Sequence, residues 1–160
     1  MNFKFEYNTE ETLVLRSQSF ENVSIDDLRS MALWKLSRII NVPDELLENL
    51  SCLAQNKDCL VDSQDTILIL DELVSCDGVG HPMASTFLKF IRPDAFPIID
   101  VRAYRTLTGK RLRYNQYSTK LHIDYALELH KIAESLDLAL ASVDEQLYCY
   151  DKEHNGKIND

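Results

Sequence analysis

The sequence predicts an all-α fold, a compact helical bundle in a single domain over residues 1–160. Three observations lead there. Apolar residues recur at spacings of three and four along most of the chain beyond residue 24. Only four Gly and four Pro interrupt the 160 residues, too few for a many-turned β protein. Cap residues stand ahead of the helical patterns, at Ser24, Ser63, Asp100 and Ser118, and Gly109 stands behind one of them. A hydrophobic content of 45% is enough for a core.

The elements follow in order. Residues 1–23 are ambiguous: FKFEYN alternates like a short strand, and ETLVLRSQSF reads as strand or helix. Ser24 with Asp27 starts a helix, and Leu28, Met31, Ala32, Leu36, Ile39 and Ile40 keep helical spacing along it. Trp34 belongs to this helix. It is read as core rather than as a base-stacking residue. Asn41-Val42-Pro43 ends the helix, and Pro43 suits the first turn of the next, which runs to about Leu53. After a polar connection over 55–62, Ser63 opens a helix over 66–75. Residues 76–80, CDGVG, form a hairpin, and a second helix begins near His81-Pro82. The extended run 96–99, FPII, leads to Asp100, which can cap a helix ending near Gly109. A loop, KRLRYNQY, mixes three cations with Tyr114 and Tyr117. It reads equally as a nucleic-acid grip or as a surface loop tucking its tyrosines inward. Ser118 begins a long helix to about Leu136. Ser142 and Glu145 make a capping box for a last helix to about Glu153. The core is expected over 24–153, with flexible ends at 1–10 and 154–160.

The stretch 65–105 organises the rest. Glycine lacks a Cβ, so Gly78 and Gly80 permit φ > 0 and a tight turn. Amides at the start of the following helix point outward together, which suits a phosphate oxygen.

On these residues the chain resembles the helix-hairpin-helix DNA glycosylase superfamily, of the endonuclease III and adenine glycosylase type. That family has a hairpin of the form L-P-G-V-G, a small-residue helix, then an Asp about twenty residues on that opens another helix, with an Arg five positions later. Here the hairpin is Cys76-Asp77-Gly78-Val79-Gly80, Ala84 is the small residue, and Asp100 and Arg105 match the Asp and the Arg. The resemblance implies that Asp100 is the catalytic carboxylate. It implies that Gly78, Val79, Gly80 and His81 meet a DNA backbone, and that Arg105 supports the Asp100 helix or touches that backbone; Arg102, Lys110, Arg111 and Arg113, from the basic segment, are read as further DNA contacts. His81 itself is read as a solvent-facing hairpin residue rather than a catalyst. Pro82 occupies the position of the Schiff-base lysine of the bifunctional members, 18 residues before Asp100, and has no nucleophile. The activity implied is therefore monofunctional base release from damaged or distorted double-stranded DNA. Asp77 replaces the usual Pro and would tolerate a monovalent ion at the hairpin. Asn115, Gln116 and Tyr117 are candidates for a wedge into the duplex.

The net charge of −9 argues against a generic DNA binder, but its distribution is uneven. Residues 1–80 hold 6 Lys/Arg and 15 Asp/Glu, residues 81–123 hold 8 and 2, and residues 124–160 hold 3 and 9. The basic segment, from Lys89 to Lys120, is read as a localised DNA-facing surface; a solvated loop is the plainer alternative. Cys52, Cys59, Cys76 and Cys149 form no CxxC and lack the spacing of a zinc or iron–sulfur site, so no metal and no cluster are expected. Neither a leader nor a membrane-length apolar run is evident, and a cytoplasmic protein is expected. Two alternatives to a glycosylase stand beside it: a non-catalytic DNA-binding domain of this kind, and a helical domain whose hairpin meets a protein partner. Oligomeric state is not legible, although the acidic parts could pair with the basic block of a second copy.

Overall fold

A computed structural model of the chain describes residues 10–18, 22–36 and 40–158. These residues form eight α-helices and one 3₁₀ turn, with no strand among them. The FKFEYN stretch lies outside the described residues. The chain falls into two units, 1–41 and 42–160.

The first unit holds α1 (Glu10–Ser17) and α2 (Ile25–Lys35). Ser24 caps α2 as expected. Its hydroxyl accepts from the Asp27 N–H at 3.2 Å, and the Asp27 carboxylate accepts from the Ser24 N–H at 2.7 Å. Trp34 is half-buried and donates its indole N–H to the Thr12 hydroxyl at 2.9 Å. The expected apolar stripe is not buried. Leu28 is 53% exposed and Leu36 68%, Ala32 and Ile40 are also exposed, and Ile39 lies outside the described residues. Two helices this short offer each other too little apolar surface to cover a stripe.

The second unit holds α3 (Asp44–Gln55), α4 (Gln64–Ser75), α5 (His81–Ile91), α6 (Val101–Thr108), α7 (Thr119–Leu136) and α8 (Leu140–His154). Pro43 is the N-cap of α3 rather than its first turn. Ser63 caps α4 through the Thr66 N–H, and Ser118 caps α7 through the Leu121 N–H. Two hydrophobic clusters form the core. One joins α3, α4 and α5 to Phe96, Ile123 and Ala126. The other gathers Ile99, Ala103, Leu112, Tyr125, Leu129 and the start of α8. The extended run 96–99 crosses between them, with Phe96 in the first and Ile99 in the second.

α8 starts three residues earlier than the expected Ser142 box, with Ala139 as its N-cap. The end of α7 explains this. Asp137 takes φ 53°, its N–H bonds the Glu134 carbonyl, and the Leu138 N–H reaches the Ala133 carbonyl at 3.0 Å. This is a Schellman turn, which redirects the chain at once. Glu145 then accepts from Lys89 Nζ at 3.2 Å instead of folding back on Ser142.

Candidate nucleic-acid site at the hairpin and Asp100

The turn between α4 and α5 is built as glycine chemistry requires. The Val79 N–H donates to the Cys76 carbonyl at 3.1 Å, and Gly78 takes φ 79°. Gly80 does not take positive φ. It is the N-cap of α5 at φ −98°, and it lies near the hydroxyl end of Tyr114. Val79 is buried and anchors the turn, while Asp77 is exposed. The first-turn N–H groups of α5 have no partner within the helix. Gly78→Ala is expected to cost roughly 1–2 kcal/mol, because a Cβ is strained at that φ. Gly80→Ala is expected to cost less than about 1 kcal/mol, since its φ is ordinary. A new Cβ there would meet the Tyr114 hydroxyl only at 3.6 Å. Denaturant midpoints of the two variants check the contrast.

Asp100 caps α6 by accepting from the Arg102 N–H at 2.6 Å. Its other carboxylate oxygen takes no hydrogen bond among the described residues, and the residue is half-buried. The approach to Asp100 is held on both sides. The Ile98 N–H donates to Asp144 at 3.1 Å, and the Ile99 N–H donates to the Ser85 hydroxyl at 3.2 Å. Ser85 lies on α5, so the helix that starts at the hairpin also holds the run leading to Asp100.

Four of the eight cations of the basic segment, Lys89, Arg92, Arg102 and Arg105, are turned inward. Lys89 is buried and pairs with Asp144 at 2.9 Å. Burial pulls its ammonium down, but the hydrogen bonds and charges of Asp144 and Glu145 outweigh it, and the net shift is upward. Arg92 is buried, chelates Asp94 and donates to the carbonyls of Leu53, Asn56 and Lys57 at the end of α3. Arg92 holds the Asp94 carboxyl down at about 2. Arg102 and Arg105 converge on Asp151 of α8, at 3.0 and 2.7 Å, and Lys120 pairs with Asp124. Of the predicted DNA contacts, Lys110, Arg111 and Arg113 remain exposed, on the loop after α6. The wedge candidates Asn115 and Gln116 are exposed on the 3₁₀ turn (Tyr114–Gln116).

His81 is not solvent-facing. It is half-buried and stacks on Tyr117, with ring centroids 6.2 Å apart and planes within 13°. Its Nδ1 is buried without a partner. The same is true of both ring nitrogens of His122 and of the Tyr125 hydroxyl, both on α7. Burial holds His81 below the usual imidazole range, against the opposing charge of Asp71. Burial, then the proximity of His81, takes His122 down to about 4. Burial and the Asp100 charge push Tyr117 up to about 12, and Tyr125 is also raised, first by burial and then by Asp144, Asp100 and Tyr117. Sequence reasoning missed His122 and Tyr125 as a pair. The signal was their i, i+3 spacing on the apolar face of α7.

His122 makes stability depend on pH. In the folded state its pKa, about 4, lies below the ordinary value of 6.5. Between these values the unfolded chain binds more protons, so stability is lost as pH falls through that window. The loss reaches about 3 kcal/mol at full protonation. His122→Leu is expected to flatten the thermal-midpoint profile between pH 7 and 4; an unchanged slope would refute it.

Among the described residues no group of three or more His, Cys, Asp or Glu is placed to hold a metal ion, and no helix is long and apolar enough to cross a membrane. A groove of about 340 Å³ between α3 and α4 is lined by Cys52, Cys59, Leu68 and Ile69, and takes no residue from the Asp100 site. No family model, curated protein or solved structure matches the chain.

Proposed function

We propose that this domain binds damaged or distorted duplex DNA and hydrolyses the N-glycosidic bond of a flipped base, with Asp100 as the acting carboxylate. The observation that supports it is the setting of Asp100. One oxygen caps α6, the other takes no hydrogen bond among the described residues, and Ser85 ties the preceding run to the helix that begins at the glycine hairpin. As the base departs with the bonding electron pair, positive charge develops on the sugar. A carboxylate beneath the sugar stabilises that charge and accepts the proton of the incoming water. The water oxygen bonds to the anomeric carbon, the base takes up a proton, and an abasic site remains. Pro82, at the first turn of α5, offers no amine for a lyase step, so the backbone stays intact. Lys110, Arg111 and Arg113 supply the exposed cations nearest in sequence to α6.

A non-catalytic binding domain is the second reading. It is favoured by the four cations of the basic segment held in internal ion pairs, Lys89, Arg92, Arg102 and Arg105.

The test is equilibrium binding to three labelled duplexes, intact, mismatched and carrying a stable abasic analogue, at two salt concentrations. The abasic duplex is expected to bind best, and binding should weaken with salt. Charge reversal of Arg111 and Arg113 is expected to lower the salt slope by roughly 2. Failure to bind any duplex at low salt would turn the assignment toward a protein partner.

A further inference from the structure

The groove between α3 and α4 has an ordered lining. α3 contributes Asn49, Cys52, Leu53 and Asn56, and α4 contributes Asp65, Leu68, Ile69 and Glu72. Both sets fall at i, i+3, i+4 and i+7, so each helix turns one continuous face to the groove. Asn56 and Asp65 lie beside the connection that joins the two helices, as does Cys59. Asn49 and Glu72 lie seven residues away from them, two turns or roughly 10 Å along each helix. Each end of the groove therefore holds one amide and one carboxylate. The middle is apolar. Leu53 and Ile69 are buried, and Leu68 is 50% exposed.

The charge is of one sign. The Asp65 and Glu72 carboxylates take no hydrogen bond and no ion pair among the described residues. Residues 42–75 hold eight Asp or Glu and a single cation, Lys57. Lys57 pairs with Asp94 at 3.5 Å. Arg92 reaches the Leu53 and Asn56 carbonyls from the core, where it is 2% exposed and chelated by Asp94. Among the described residues no cation lines the groove. A volume of about 340 Å³ has room for a few side chains but not for a second backbone. Whatever covers the groove lies along it and inserts side chains.

We propose that this groove docks a basic amphipathic helix of a partner protein. An apolar side chain of that helix enters against Leu53, Leu68 and Ile69. Two of its lysines or arginines, two turns apart on the same face, meet Asp65 and Glu72. Charge complementarity selects this partner, because carboxylates seven residues apart on α4 match cations at the same spacing on a helix laid alongside. The exposed ion pairs give orientation, and the apolar contact gives most of the affinity. No described helix of this chain carries two Lys or Arg residues seven apart, so a second copy does not supply the partner helix. The groove shares no residue with the hairpin or with Asp100, and helix docking there stands whether or not the protein acts on DNA.

The experiment uses the full chain and a synthetic helical peptide with leucines on one face, flanked on that face by two lysines two turns apart. One control peptide has the same composition with the lysines on the opposite face. Another has glutamates in place of the lysines. Fluorescence anisotropy of the labelled peptide reads binding. Alkylation of the two exposed cysteines, Cys52 in the groove and Cys149 on α8, reads its place. The lysine peptide is expected to bind and to slow alkylation of Cys52 while leaving Cys149 unchanged. Reversing both carboxylates, Asp65→Lys with Glu72→Lys, is expected to weaken that binding at least about tenfold. Both residues are exposed, and binding of the glutamate peptide to the reversed protein is expected, which also shows that its fold survives. Failure of the lysine peptide to bind overturns the proposal, as does equal binding of the opposite-face peptide or binding that leaves Cys52 unprotected. Diaminooctane protecting Cys52 as fully as the peptide would make the groove a site for small cations and would overturn the helix as its occupant.

Discussion

Asp151→Ala is expected to lower the stability of the protein by roughly 2–4 kcal/mol. The Asp151 side chain is 0% exposed and accepts from Arg102 Nη1 at 3.0 Å, from Arg105 Nε and Nη2 at 2.7 Å each, and from Asn155 Nδ2 at 3.1 Å. Removing it leaves two guanidiniums, each about one-fifth exposed, without their shared counterion. That partial exposure sets the range below what a fully buried pair would lose. Urea denaturation measures it, and a midpoint unchanged from wild type would refute the clamp. The effect should reach the candidate site, because Arg102 and Arg105 belong to the helix that Asp100 caps. The acid side follows the same logic. The Arg105 guanidinium is the main cause that holds the Asp151 carboxyl at about 2, below its ordinary 3.8. Its contribution is complete above about pH 4 and is lost as pH falls toward 2. Acid unfolding should therefore show two windows, an upper one from His122 and a lower one that Asp151→Ala removes.

Asp100→Asn is expected to reduce base release at least about a hundredfold while leaving fold and duplex binding in place. The substitution separates the two jobs of the side chain. Asn caps a helix as well as Asp does, so the bond to the Arg102 N–H survives and stability should change by less than about 0.5 kcal/mol. What disappears is the negative charge beside the developing cation on the sugar. Single-turnover release from duplexes with one damaged base each, read alongside the thermal midpoint, decides it. Equal release by wild type and variant would leave Asp100 as a helix cap. No release by either, with binding retained, would favour the non-catalytic domain. Asp100→Ala is a poorer probe, because it also removes a cap worth about 1 kcal/mol.

The helix starts were legible because their causes are local. Ser24 with Asp27, Ser63 with Thr66, Asp100 with Arg102 and Ser118 with Leu121 are all bonds between residues two or three apart. The αL end of α6 at Gly109, φ 69°, was readable for the same reason. The start of α8 was misread although its cap signal was also local. A competing local motif, the turn at Asp137, acted first, and a distant lysine drew Glu145 away.

The partners of the charges were not legible. The segment from Lys89 to Lys120 reads as a basic surface, yet Lys89, Arg102 and Arg105 close onto Asp144 and Asp151 of α8, some fifty residues away. Much of the contrast between a basic centre and an acidic end is thereby spent inside one molecule. Asp144 and Asp151 are seven residues apart on one helix, and that spacing was a sign that both could face the same neighbour. The apolar stripe of α2 shows the converse. Periodicity correctly announced a helix, but burial needs a partner surface, and among the described residues none covers Leu28 and Leu36.

By itself, then, the sequence determined the all-α class, the glycine turn and the cap at Asp100, since each rests on backbone geometry within a few residues. Only the tertiary structure decided which cations face outward, that His81 stacks on Tyr117, and that His122 and Tyr125 bury polar atoms without a partner among the described residues. Burial and ion pairing depend on which distant elements come into contact, and no local pattern carries that information.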